Sequence, residues 1–187
     1  FAERYEILEK RAREERRAAE DDYVQLARHA IETIVRTGEP AARPQGLPSE
    51  MAERAGVFVS LKKDGELRGC IGTFEPTAKN IAEEIIKNAA SAALRDPRFP
   101  PVRADELDEL VYSVDVLTEP ELVGSADDLD ARRYGVIVES RGRKGLLLPD
   151  LPGVDTAEEQ LRIARKKGGI PEDAAIRIWR FEVTRHV

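Results

Sequence analysis

The chain has 187 residues, of which 41% are hydrophobic and 35% charged, with a net charge of −6. That is enough chain and apolar content for a buried core, while the negative balance gives no electrostatic reason to expect nucleic acid or an anionic membrane as partner. No apolar run nears the roughly 20 residues needed to cross a bilayer. The single cysteine, Cys70, cannot form an internal disulfide, which fits a cytoplasmic location. With only His29 and His186 beside it, it makes no zinc-ligand spacing. Neither a metal nor an organic cofactor is expected. No signal-peptide pattern is visible, and the chain opens on Phe1, as a piece of a longer protein would.

Residues 1–22 are dominated by charge and alanine. Phe1, Tyr5, Leu8 and Ala12 form a thin apolar stripe, so the segment reads as a solvated helical extension, an arm or a linker. From residue 23 the pattern sharpens into the main domain, 23–187. Tyr23, Leu26, Ala27, Ala30, Ile31 and Ile34 keep helical spacing, and Gly38 and Pro40 end that helix. A loop with a turn of helix at 49–54 leads into a hairpin: strand formers from Val57, a turn at Asp64-Gly65, and a return strand over 66–74. A helix then places Ile81, Ile85, Ala89, Ala92 and Ala93 on one face, with Thr77 as the expected N-cap. "DPRFPP" is a stiff corner, "ADELDEL" a short acidic helix, and "VYSVDVL" a strand.

The second half repeats this plan. "GVIVESRGRKGLLLPDL" lays over "GVFVSLKKDGELRGCIG", and each hairpin is followed by a helix and a closing strand, 111–117 and 175–183. In the second copy Thr156 and Glu159 read as a capping box, and Gly168-Gly169 as the helix stop. The expected fold is therefore α+β: an antiparallel sheet, open or closing toward a barrel, with flanking helices, two unequal subdomains and an internal hairpin–helix–strand duplication.

Chemistry concentrates in "ELRGCIG", residues 66–72. Strand alternation predicts Leu67, Gly69 and Ile71 on the core face and Arg68, Cys70 and Gly72 together on the other. A guanidinium beside a thiol favours the nucleophilic thiolate, and Gly69 and Gly72 leave room for a ligand or a backbone to approach. The bland alternative is a small buried residue, with Arg68 paired to a carboxylate such as Glu66 or Asp96. Asp96 and Arg98 read either as a surface turn or as a charged rim beside this strand. Two functions follow. One is an enzyme or enzyme component whose Cys70, assisted by Arg68, holds or attacks a small anionic ligand, with Gly69, Gly72, Asp96 and Arg98 as binding residues. The other is a non-catalytic binding module.

"FVSLKKDGELRGCIGTFEP", "AASAALRDPRFPPV", "ELDELVYSVDVL" and "YGVIVESRGRKGLLLPDL" together resemble the AMMECR domain family, whose hallmark hexapeptide stands intact as Leu67–Gly72. In prokaryotes that family is component A of the AmmeMemoRadiSam system. The resemblance implies an α+β fold with a cleft beside the hexapeptide. It also implies the company of a Memo-like protein and a radical SAM enzyme, for which the non-catalytic module would be a scaffold. Asp150 stands where relatives carry glutamine.

Overall fold

The computed structural model describes residues 2–187 and divides them into two compact units, one of residues up to Val116 together with 185–187, the other Leu117–Thr184. Phe1, counted in the N-terminal stripe, lies outside the described residues.

In the first unit, helix α1 (Ala2–Ala19) is long and charged and buries none of its residues. Helix α2 (Asp22–Thr37) is different. Asp21 caps it by accepting from the Tyr23 and Val24 amides, and Gly38 closes it in the left-handed region. It buries Val24, Leu26, Ala27, Ala30, Ile31 and Ile34, the face that its spacing predicted, with Val24 in place of the half-buried Tyr23. Strands β1 (Val57–Lys63) and β2 (Glu66–Thr73) form the hairpin, with Asp64 and Gly65 at positive φ in its turn. Helix α3 (Ile81–Leu94) follows. Its N-cap is Asn80, not Thr77, since the Asn80 side chain accepts from the Glu83 amide. Thr77 instead donates its hydroxyl and its amide to Glu84. A 3-10 segment, Ala104–Glu109, then leads into strand β3 (Leu110–Leu117). Val57, Val59 and Leu61 of β1 alternate inward with Tyr112 and Val114 of β3, and α2 and α3 cover that face.

The second unit contains β4 (Glu121–Val123), β5 (Gly135–Ser140), β6 (Arg143–Leu147), α4 (Ala157–Gly168) and β7 (Arg177–Phe181). Thr156 caps α4 by accepting from the Glu159 amide, and Gly169 ends it in the left-handed region. Its own core gathers Val136, Val138, Leu147, Ala164 and Ile170. The terminal strand β8 (Val183–His186) joins the first sheet. The strands make two four-stranded sheets, β2-β1-β3-β8 and β4-β7-β5-β6, rather than one barrel-like sheet. Short strands β4 and β8 were not expected. Glu119-Pro120 looked like an end, and 175–183 read as one strand where β7 stops at Phe181 and a new strand begins at Val183.

In each sheet the return strand of the hairpin lies at an edge, the first strand beside it, and the strand after the helix next. One contact recurs in both. A Cβ on Gly69 of β2 would stand 2.4 Å from the Ala92 carbonyl oxygen of α3, and a Cβ on Gly145 of β6 would stand 1.8 Å from that of Ala164 of α4. Glycine lets each helix lie directly on its edge strand.

Candidate functional site

Register decides what β2 presents. Ser60 pairs with Cys70 and Leu61 with Gly69, but Lys62 pairs with Leu67, so Arg68 is the extra residue of a β-bulge. A bulge breaks alternation. Leu67, expected in the core, comes to the open face with Ser60 and Lys62 and is 40% exposed. Gly69 stays on the core face as expected.

Arg68 is consequently aimed elsewhere. Its Nε and Nη2 donate to the two oxygens of Glu106 at 3.0 and 3.1 Å. Its Nη1 donates to the Pro100 carbonyl at 2.8 Å, and Nη2 also reaches that of Pro101 at 3.4 Å. The expected pairing of Arg68 with the Cys70 sulfur is therefore corrected: its donors are spent on a half-buried fork with Glu106 and on the proline corner. Glu106 also accepts from the Arg103 amide and faces Lys63, and Arg68 foremost holds its carboxyl down to about 2 against burial. Neither Glu66 nor Asp96 is its partner. Glu106 sits 38 residues away, and only the fold brings it there.

Asp96 and Arg98 make a second clasp, on the outer edge of β2. The Cys70 amide donates to Asp96 Oδ2 at 3.0 Å, and Arg98 Nη2 donates to the Cys70 carbonyl at 3.2 Å. Arg98 forks onto Asp96 through Nε and Nη2 at 3.0 and 2.7 Å. Asp96 is buried, and the Arg98 hydrogen bond above all holds its carboxyl far below the usual range. An edge strand exposes unpaired backbone groups, and here side chains of the "DPRFPP" corner occupy those of Cys70. Gly72 serves packing, because a Cβ there would lie 2.2 Å from the Phe58 ring.

What remains chemically open is the thiol. Cys70 is half-buried, and its sulfur accepts a hydrogen bond from Ser60 Oγ at 3.1 Å. Ser60 pairs across to Ser113 of β3, so Cys70, Ser60 and Ser113 form one row on the open face. Beside this row lies a groove of about 400 Å³, lined by Ser60, Lys62, Leu67 and Ser113, with Arg16 and Arg185 at its sides. No histidine serves the thiol from the C-terminus: His186 stacks on Tyr23 at 3.8 Å and lies 2.6 Å from Asp21 Oδ2. Among the described residues no group of three or more His, Cys, Asp or Glu could hold a metal ion.

Two further groups escaped the sequence. Glu84, buried in α3, accepts from the Thr73 and Thr77 hydroxyls and the Thr77 and Ala78 amides, and these bonds lower its pKa although burial, the largest influence, raises it. Its signal was a carboxylate on the apolar face shared by Ile81, Ile85 and Asn88. The second unit has a wider groove, about 1020 Å³, beside the basic hairpin of Arg141 and Arg143. Arg143 there donates to the Gly169 carbonyl and Arg177 to Glu139.

The AMMECR1 family model matches residues 24–186. The chain belongs to the AMMECR1 family. A Thermotoga maritima relative is 54% identical over 170 residues, covering 89% of this chain and 98% of its own length. A Clostridium acetobutylicum relative is 49% identical over 183 residues, covering 97% of this chain but only 39% of the relative, so most of that AMMECR1 protein lies outside the match. The crystal structure of the uncharacterized protein PH0010 of Pyrococcus horikoshii is similar with a TM-score of 0.78 at 38% identity, covering 87% of this chain and 88% of that one. The α+β architecture is thus that of the family. No helix in the described residues is long and apolar enough to cross a membrane.

Proposed function

We propose that this AMMECR1-family chain binds a small anionic molecule with an apolar portion on the open face of its first sheet, and that Cys70 contacts it there. The observation that carries the reading is the Cys70–Ser60 pair, 3.1 Å apart, at the side of a groove whose size suits a small ligand. Lys62 and Arg16 supply positive charge, Leu67 and Val111 an apolar wall, and Ser60 and Ser113 hydroxyls for orientation. In this reading Arg68, Asp96 and Arg98 position the strand that carries the thiol and do not touch the ligand. Whether the thiol attacks or only holds the molecule depends on a base, and none stands beside it in hydrogen-bond reach except the Ser60 hydroxyl.

A thermal-shift screen of anionic metabolites against the wild type, Lys62→Glu and Cys70→Ala tests this. A ligand should raise the wild-type melting temperature, lose that effect in Lys62→Glu, and slow alkylation of Cys70 by iodoacetamide in the native protein. Ligands that stabilise all three proteins equally, or a native thiol inert to iodoacetamide, would defeat the reading.

The second reading is a scaffold for a Memo-like protein and a radical SAM enzyme. It gains support from the bonds that spend Arg68, Asp96 and Arg98 on the fold. It predicts that Cys70→Ser leaves pull-down of such partners intact. Arg68→Glu is no test of it, since that change would break the Glu106 fork itself.

A further inference from the structure

Helix α1 buries none of its residues, and its sequence reads as a solvated arm. Its last turn nevertheless forms one side of the groove on the open face of the first sheet. Arg16, Ala19 and Glu20 line that groove together with Ser60, Lys62 and Leu67. Positions 16, 19 and 20 are three and four apart, so they share one side of the helix. Arg17, turned about 100° from Arg16, points instead to the body of the unit. It pairs with Asp108 at 2.8 Å and approaches Glu32 at 3.9 Å. With no buried residue to anchor it, α1 is held by charge. Just beyond the helix, Glu20 accepts from Arg28 Nε at 2.9 Å and from its Nη2.

The charges lining the groove do not balance. They belong to Arg16, Glu20, Lys62 and Arg185. Glu20 is engaged by Arg28, and Arg185 is forked onto Asp115 at 2.8 and 2.9 Å. Among the described residues, Arg16 and Lys62 make no side-chain hydrogen bond or ion pair. Two cations are left over, one from α1 and one from β1, with no carboxylate on the groove left over to balance them. A singly charged ligand compensates one of them, whereas a doubly charged group compensates both.

On the reading of this groove as the ligand site, we infer that the ligand carries a phosphate-type dianion beside its apolar portion. Arg16 and Lys62 both bind that group, and Leu67 and Val111 take the apolar portion. The Arg17–Asp108 pair holds α1 so that Arg16 reaches the dianion. Arg17 and Asp108 are therefore positioning residues that act through Arg16, and the arm is part of the site.

Isothermal titration calorimetry of the full 187-residue chain with phenyl phosphate and with benzenesulfonate tests this, in low salt at a pH of about 8, where the phosphate is doubly charged. The two probes share a ring and a tetrahedral head and differ by one charge. Phenyl phosphate should bind the wild type about tenfold more tightly than benzenesulfonate. Arg16→Ala and Lys62→Ala should each weaken phenyl phosphate by about tenfold and shrink the preference. Arg17→Asp alters no residue of the groove and should weaken it similarly, while Arg17→Asp with Asp108→Arg should restore it. Arg16, Lys62 and Asp108 are exposed and Arg17 is half-exposed, so circular dichroism should be unchanged in every variant. Equal affinity for the two probes overturns the dianion. Binding weakened by Lys62→Ala but not by Arg16→Ala or Arg17→Asp keeps the groove as a ligand site and overturns the role of α1, and a charge swap that restores nothing overturns the positioning pair. Binding indifferent to Lys62→Ala as well places the probe elsewhere and overturns both readings. A wild type that binds neither probe overturns the inference, whatever the wider metabolite screen returns.

Discussion

The two edge strands β2 and β6 start from the same plan and end differently. Both follow a hairpin turn, both lie at the edge of a four-stranded sheet, and both carry a glycine on which the following helix rests. In β6 the next residues are Leu146 and Leu147, and Leu147 is buried in the second core. In β2 the residue before the glycine is the bulged Arg68 and the one after it is Cys70, and polar side chains from the "DPRFPP" corner and from Glu106 grip both. The contrast separates two kinds of polar residue. Arg68, Asp96 and Arg98 hold an edge that β6 manages without them, and the thiol is left to accept from Ser60, which lines the neighbouring groove.

The largest expected effect breaks what the two strands share. Gly145→Ala and Gly69→Ala each drive a methyl into a helix carbonyl, which has no flexible end to move aside. Each should cost about 3 kcal/mol or more in denaturant melts, with Gly145→Ala the worse because its approach is closer. Equal and small losses would mean that the helices do not rest on these strands.

Next comes the feature that β6 lacks. Arg68→Ala leaves the buried Glu106 carboxylate without its fork and should cost about 3 kcal/mol. Arg68→Lys should recover little, since an ammonium cannot make the bidentate contact and reach the prolines as well. Asp96→Asn should cost less, about 2 kcal/mol, because the amide can still accept from Cys70 while losing the Arg98 charge.

Acid titration sharpens the same point. Glu106 ionises near 2 in the fold against 4.5 for the free group, so the folded pKa is depressed. The stability it contributes is full above 4.5 and is lost as pH falls toward 2. Asp96 shifts in the same direction and adds to the same acid limb. Stability measured over this window should fall steeply in the wild type and more gently in Arg68→Ala. Parallel curves would remove the fork from the account.

The smallest effect should fall on the thiol. Cys70→Ser should change stability by less than about 1 kcal/mol, since its sulfur is half-buried and makes one side-chain hydrogen bond. It should abolish alkylation and any ligand protection measured on the wild type. A large loss of stability would return Cys70 to the structural residues.

Local patterns are what the sequence alone could determine. The α2 face, the Asp64-Gly65 turn, the α4 cap and stop, and the hairpin–helix–strand order of both halves depend on neighbours within a few residues, where spacing and turn chemistry act directly. That residues 66–72 depart from ordinary strand composition was also legible, because glycines and a lone thiol are poor choices for a strand unless something demands them. The role of each residue there was not. A single inserted residue reversed the face of Leu67, and alternation cannot announce a bulge. Glu106 and the proline carbonyls reach Arg68 from more than thirty positions away, and the Asp96 carboxylate that takes the Cys70 amide comes from 26 away. Tertiary structure decided those partners, because a charged side chain settles on whichever oppositely charged or polar groups the packed helices and corners bring within 3 Å, and no local rule encodes which those are.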